Sequence, residues 1–520
     1  MTVLIASNAI AGSRAEATHA AVATASPYAT QIGLRVLQDG GNAADASVAI
    51  AFALAVAKPQ SGNIGGGGFL TYYDAASRGV WTIDFREVSP AAAKNVSATG
   101  IASAAVPGTV AGMAALHERF GSKSWESLVV PAIGLARGGV KIDFELANAI
   151  KLAKAERKVE PFAREKTEMG ATLVQSDLAA TLERIAVNGA REFYDGETSR
   201  RIVDDGRAAG GVFSLRDLRE YKPMWRAPLR IAYRGVEIYT VAPPSAGGLV
   251  MASMLKILGG FDLAASGFQT GASLHLLAEA ERRAAIDRDK HLGDPAFARI
   301  PIRELLSDER AVQWRTSINP KRVTPTVTLA EPAGAITESS HTTHFAVVDA
   351  QGNVASVTVT LGDDFGSGYV VPGCGFLLNN SMKDFSKTAG SPNSAAGAKR
   401  MASSMAPAIV LRNGKPLLAI GSAGGAAIPA TIANILINII VYKKSLDDAV
   451  AAPRYDQQAT PDGIAYEQAL APKAAIDTLV ALGHGLRAGE TIGDVQAVMI
   501  DRGKLTAVSD PRRAGAAGAY

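Results

Sequence analysis

Two threonines stand between two histidines in "ESSHTTHFAVVD", residues 338 to 349, immediately before a hydrophobic run. A threonine at the start of a chain is a competent nucleophile, because its own α-amine, with a pKa of about 7.7–8.0, takes the hydroxyl proton at neutral pH. Using Thr342 in that way requires cutting the chain before it. A threonine entering a strand, with a second hydroxyl close by, can attack the preceding carbonyl and make its own new terminus. Taken alone, the pair reads first as ordinary strand composition, since threonine is common in strands. His341 and His344 are three apart and, entering a strand, point to opposite faces; with no other clustered ligands they give no metal site.

Other chemistries lack their residues. The chain contains no H-E-x-x-H, no G-x-x-x-x-G-K-[ST] and no G-x-S-x-G, so zincin, P-loop and nucleophile-elbow readings have no signature. The run Gly65 to Gly68 has no lysine to complete a phosphate cradle, and reads as close backbone packing or a turn. The 53 basic and 49 acidic residues are spread along the chain, leaving +4 and no basic footprint for nucleic acid. A lone cysteine, Cys374, forms no intrachain disulfide and no cysteine cluster for zinc. Two apolar stretches, "VAIAFALAVA" at 48 to 57 and "ANILINIIVY" at 433 to 442, fall short of the roughly 18 residues of a membrane span and read as buried helices. The first residues show no basic stretch before an apolar core, so the cytoplasm is the expected compartment and no membrane partner is expected.

The elements that must position these groups follow from periodicity and punctuation. With 520 residues, 48% hydrophobic and 20% charged, the chain can fill two or three domains or one large α/β body. Residues 21 to 57 read as two packed helices broken at "DGGN". A glycine-rich loop, "SGNIGGGGFLTYYD", feeds a strand, and "GVWTIDFREVSP" is its return strand with Arg86 at the far end. From about 105 to 235 the pattern is mostly helical, and "ASLHLLAEAERRAAIDRDKHLGDP" is one further helix that stops at "GDP". Past residue 342 come three hairpins turning at Gly352-Asn353, Asn413-Gly414 and Arg502-Gly503, with helices "PATIANILINIIVYKK" and "PKAAIDTLVALGHG" between them. That part reads as stacked antiparallel sheet covered by helices, and "KTAGSPNSAAGAKRMA" as a surface loop beside the site.

Eleven motifs in order reverse the bland reading of Thr342. They include "LRVLQDGGNAADASVA", "PQSGNIGGGGFL", "DFREVSPAA", "APPSAGGL", "DRDKHLGDP", "TTHFAVVDAQGN", "LLNNSMKDFS", "SSMAPAIV" and "GSAGG", and together the chain resembles the γ-glutamyltransferase family, the glutathione hydrolases. The resemblance implies an N-terminal-nucleophile hydrolase of α+β class with a four-layer αββα sandwich, made as one precursor that cleaves itself. The matching bond is His341-Thr342, giving a helix-rich large subunit, 1 to 341, and a catalytic small subunit, 342 to 520. It also implies that no cofactor or metal is used.

Residue by residue, the resemblance gives Thr342 the nucleophile role in autocleavage and catalysis, and Thr360 the role of activating it. Gly424 and Gly425 match oxyanion-hole glycines. Arg86, Ser403 and Ser404 match the group that holds a substrate α-carboxylate, to which guanidinium offers a planar fork of donors. Asp384 matches the receiver of the α-amine. The chain departs from the family where an asparagine and a glutamine or glutamate usually also bind that amine; here stand Gly362 and Ser381. The stretch from Asp384 to Ser403, where many members carry a lid, is short. The implied reaction is cleavage of γ-glutamyl amides such as glutathione through an acyl-enzyme, by hydrolysis or transpeptidation. The alternative keeps the machinery and changes the substrate to a carboxylate-bearing amide without the α-amine, as in an oxamate amidohydrolase or a glutaryl (cephalosporin) acylase.

Overall fold

The computed structural model describes residues 13–93, 97, 99–155, 167–330, 341–489 and 491–520. Two seven-stranded antiparallel sheets lie face to face between helical layers. The first runs, edge to edge, through the strands Ala516–Ala519, Ala21–Thr24, Thr342–Val348, Val354–Thr360, Gly67–Asp74, Gly79–Phe85 and Met224–Arg226. The second runs through Arg14–Ala17, Lys504–Ser509, Asp494–Asp501, Lys415–Ala423, Ala408–Arg412, Val236–Thr240 and Leu229–Tyr233. Both sheets contain strands from before and after residue 341, so the two parts of the chain share one core. The expected stacked-sheet, helix-covered α+β sandwich is what forms.

Small side chains set the sheet spacing. The layer between the sheets is built from Ala21, Ala23, Ala346, Ala419, Ala507 and Ala517 with Val348, Val354, Ile409, Leu411 and Val498. Outside the first sheet pack the helices Pro27–Gln38, Ala43–Ala57 and Thr109–Phe120; outside the second pack Gly247–Leu258, Gly271–His291 and Ile428–Ile440. The alanine-rich helix Ala43–Ala57 is buried along its whole length. It starts at a capping box in which the Asn42 side chain accepts from Asp45 N–H and the Asp45 carboxylate accepts from Asn42 N–H. Its break from the preceding helix falls at "DGGN", as the glycines predict.

The predicted turns also form. Asn413 and Gly414 have φ of +53° and +73°, and Arg502 and Gly503 +50° and +82°, the left-handed pair that a two-residue hairpin needs. The hairpins do not stack as one unit, however. Thr342–Val348 with Val354–Thr360 joins the first sheet, and the other two hairpins join the second, because each completes a sheet begun earlier in the chain. The helical layer ends at Glu220 rather than near 235: Met224–Arg226, Leu229–Tyr233 and Val236–Thr240 are strands, the last two turning at Arg234-Gly235. Two early strands, Arg14–Ala17 and Ala21–Thr24, were also not legible in their short alanine-rich sequence. The segment 387–402 carries no helix or strand, as its composition predicts. Among the described residues no helix is long and apolar enough to cross a membrane.

Candidate active site

Thr342 opens its strand directly opposite Thr360, the last residue of the neighbouring strand. Period-two alternation sends both hydroxyls to the inter-sheet face, with His344 and Thr358 one pair further in. The Thr342 Oγ1 lies 3.4 Å from Thr360 Oγ1, to which it donates. Thr360 Oγ1 in turn donates to the carbonyl oxygen of His341 at 3.2 Å and accepts from Gly362 N–H at 3.0 Å. One hydroxyl thus connects the proposed nucleophile to the carbonyl of the bond that precedes it. His341 stands just outside the strand, its Nδ1 2.9 Å from Asp364 Oδ1.

The glycine run packs rather than cradles. A Cβ on Gly66 lies 2.0 Å from the Thr360 carbonyl oxygen, and one on Gly65 lies 1.9 Å from that of Leu377, so only glycine lets this loop press against the end of the Thr360 strand. Asn379 fastens the same corner: its Nδ2 donates to the Gly65 and Ala105 carbonyls and its Oδ1 accepts from Ala105 and Ser381 N–H. His344 is fully buried, with Nδ1 2.9 Å from Thr358 Oγ1, and burial pushes its pKa down to about 3. The absence of a side chain at Gly421 makes room for its ring.

A small cavity of about 10 Å³, the room of a single water, is lined by Arg86, Thr342, Thr360, Gly362, Asp384, Ser403 and Met405. Six of the residues singled out from sequence therefore meet at one place. Arg86 is buried at the end of the strand Gly79–Phe85, and its Nη2 lies 2.6 Å from Asp384 Oδ2. Its Nη1 lies 2.9 Å from Glu87 Oε2, and Ser381 Oγ donates to Glu87 Oε1 at 2.9 Å. Ser403 is held through its carbonyl, which accepts from Ala246 N–H at 2.5 Å; Ser404 is buried next to it, its carbonyl 2.2 Å from where a Gly247 Cβ would sit.

Gly424 and Gly425 do not line that cavity. They form the turn after the strand Lys415–Ala423, with φ of +132° and +56°, and lead through the single turn Gly425–Ala427 into the helix Ile428–Ile440. The departure at Gly362 has a steric counterpart: φ is +91° and a Cβ would lie 2.1 Å from Asn380 Oδ1. Asn380 uses that oxygen to accept from Asp363 N–H and donates from Nδ2 to Asp363 Oδ2, while Lys383 pairs with the same aspartate.

Glu87, Asn379 and Asn380 escaped the sequence reading. Glu87 follows Arg86 and Asn379-Asn380 precede Ser381, so adjacency to named residues was the available signal. Among the described residues, His275, Glu279 and His484 are the one group of metal-ligand type that comes together. Most of their polar atoms are engaged with one another and with neighbours: His275 Nδ1 meets His484 Nε2 at 2.7 Å, His275 Nε2 meets the Asn319 carbonyl at 2.8 Å, and Glu279 pairs with both Arg282 and Arg283, while His484 Nδ1 is buried without a hydrogen-bond partner.

The chain is similar to several known proteins. The family described as Gamma-glutamyltranspeptidase matches residues 29–520. A glutathione hydrolase proenzyme of Pseudomonas aeruginosa is 40% identical, over 95% of this chain and 93% of its own length. A second, from Escherichia coli (strain K12), is 37% identical over 94% and 90%. The crystal structure of a cephalosporin acylase from Bacillus halodurans superposes with a TM-score of 0.89 at 27% identity, covering 100% of this chain and 98% of that one.

Proposed function

Because the chain belongs to the γ-glutamyltranspeptidase family of self-processing amidohydrolases, we propose that Thr342 first cuts the chain at His341-Thr342 and then serves as the nucleophile toward a γ-glutamyl amide. The observation that carries this reading is the hydroxyl relay from Thr342 Oγ1 through Thr360 Oγ1 to the His341 carbonyl oxygen.

In self-cleavage, Thr342 Oγ attacks the carbonyl carbon of His341, and Thr360 donates to the oxygen on which negative charge develops. The new C–O bond replaces the C–N bond, and the hydroxyl proton ends on the released α-amine of Thr342. Water then hydrolyses the resulting ester, leaving His341 as a carboxyl terminus of a 1 to 341 piece and Thr342 as the first residue of a 342 to 520 piece. In turnover the free α-amine takes the Oγ proton as Oγ adds to the substrate amide carbon. The backbone N–H groups of Gly424 and Gly425 receive the oxyanion, each such donor being worth about 2.7–4 kcal/mol of barrier. The leaving amine departs with the proton, and water or an incoming amine then takes the acyl group from Thr342.

The charge balance at Arg86 supports a γ-glutamyl acyl group. One guanidinium is shared by two buried carboxylates, Glu87 and Asp384. An acyl group bearing both carboxylate and ammonium adds no net charge to it: its carboxylate takes Arg86 with Ser403 and Ser404, and its ammonium takes Asp384. A glutaryl group adds another carboxylate and no cation. The second reading, an amide without the α-amine, draws on Gly362, which offers no side chain, and on Ser381, whose hydroxyl is already given to Glu87. Comparing kcat/KM for γ-glutamyl p-nitroanilide, glutaryl p-nitroanilide and an oxamate-type amide decides between them. A γ-glutamyl advantage of tenfold or more is expected; a glutaryl or oxamate advantage overturns the substrate assignment. A Thr342→Ala chain is expected to stay whole and inactive, and its cleavage at 341-342 would move the nucleophile elsewhere.

A further inference from the structure

Gln458 ends the strand Tyr455–Gln458 in a three-stranded sheet outside the two main ones, with its amide buried. Its Nε2 lies 2.7 Å from Asp456 Oδ1, 3.3 Å from the carbonyl oxygen of Ala426 and 3.4 Å from Glu281 Oε1. Its Oε1 accepts from Arg288 Nη1 at 2.6 Å, and Arg288 is itself held by Asp289 at 2.7 Å. Ala426 is the middle residue of the turn Gly425–Ala427, in which Ala427 N–H closes on the Gly424 carbonyl at 3.1 Å. The amide therefore joins a buried charged cluster to the backbone that carries both proposed oxyanion donors. Glu281, Arg288 and Asp289 lie on the helix Gly271–His291, before the bond that is cut, whereas Asp456, Gln458 and Ala426 come after it.

We propose that Gln458 is a positioning residue for catalysis: by holding the Ala426 carbonyl it fixes the peptide planes of the turn and so the direction of the Gly424 and Gly425 N–H groups. This rests on the function proposed above. A turn containing two consecutive glycines at positive φ has more backbone freedom than any other residue pair would give it, and no side chain of its own to restrain it. Oxyanion donors stabilise a transition state only when they are aimed before the reaction begins. Arg288 orients the Gln458 oxygen, which leaves the amide nitrogen facing its acceptors. Glu281 lies on the same side, its pKa pushed well up by burial and then by the neighbouring Asp456 carboxylate. The groups facing the amide are thus Glu281, Asp456, Arg288 and Asp289.

The test compares processed Gln458→Met, Gln458→Glu and wild-type protein with γ-glutamyl p-nitroanilide between pH 6 and 8.5, with Thr342→Ala in parallel. Gln458→Met has no donor for Ala426, and its kcat is expected to fall tenfold or more at every pH while KM stays within twofold. Gln458→Glu has a donor only when its new carboxyl is protonated, so its kcat relative to wild type is expected to rise as the pH falls. A purely space-filling or fold-stabilising amide predicts no such divergence between the two variants. Retention of kcat within twofold by Gln458→Met, or identical relative pH profiles for both variants, overturns the proposal. Turnover by Thr342→Ala instead overturns the reading beneath it, so the two failures are distinguishable.

Discussion

Replacing Thr360 with valine keeps the shape and removes one hydroxyl, which makes it the sharpest probe of self-cleavage. That hydroxyl donates to the His341 carbonyl at 3.2 Å, accepts from Thr342 at 3.4 Å and accepts from Gly362 N–H at 3.0 Å. A donor to a developing oxyanion is typically worth about 2.7–4 kcal/mol. The contact is longer than the 2.7–2.8 Å usual for O–H···O, so about 2 kcal/mol is the better figure, or about 30-fold in rate. Losing the acceptor for Thr342's proton adds to this and losing the acceptor for a buried N–H costs about 1–3 kcal/mol of stability. Freshly synthesised precursor followed by denaturing electrophoresis should therefore cleave about 30- to 100-fold more slowly in Thr360→Val, while Thr360→Ser, which keeps the hydroxyl, stays near wild type. If Thr360→Val cleaves within threefold of wild type and remains folded by circular dichroism, the relay is not the route to cleavage.

Three further outcomes test other parts of the site. Asp384→Asn leaves Arg86 with Glu87 as its one carboxylate partner of the two now observed, and should lower γ-glutamyl anilide kcat/KM at least tenfold while lowering the glutaryl value less; equal losses would remove Asp384 from acyl discrimination. Gly362→Asn alone should destabilise the chain, because its φ is +91° and its Cβ meets Asn380 Oδ1 at 2.1 Å; Asn380→Ala should recover part of that loss, and strict additivity in urea melts would deny the contact. His344, neutral in the folded chain until about pH 3 against 6.5 for the free imidazole, takes its proton more readily when unfolded, so stability is unaffected above 6.5 and falls as the pH drops from there toward 3. The depression amounts to a loss on the order of 5 kcal/mol at its full extent; His344→Gln should flatten that part of a stability-against-pH curve, and an unchanged curve refutes the assignment.

Much of the fold was readable because local chemistry and global position agree. The capped alanine helix Ala43–Ala57, the Asn413-Gly414 and Arg502-Gly503 turns and the loop at 387–402 each carry their signal within a few residues. The strands Arg14–Ala17 and Ala21–Thr24 do not, because a four-residue alanine-rich segment becomes a strand only when a sheet formed by distant residues accepts it. The mostly helical reading of residues 105 to 235 failed similarly at its end, although Arg234-Gly235 was a hairpin turn in plain view.

At the site, sequence by itself determined the identities: the threonine pair, the arginine after "DF", the serine pair and the glycine turn, each recognisable by type and by order along the chain. What these residues do to one another was decided by tertiary structure. Thr342 meets Thr360 because strand register puts them opposite, and Arg86 meets Asp384 across nearly three hundred residues because the loops at the same end of the sheets converge. Glu87's pairing with Arg86 and Asn380's occupation of the space beside Gly362 were hinted at only by adjacency to named residues, and Gln458's hydrogen bond to the Ala426 carbonyl had no local signal. Hydrogen bonds and ion pairs depend on distances of a few tenths of an ångström, and for residues far apart in sequence only the packed chain fixes them.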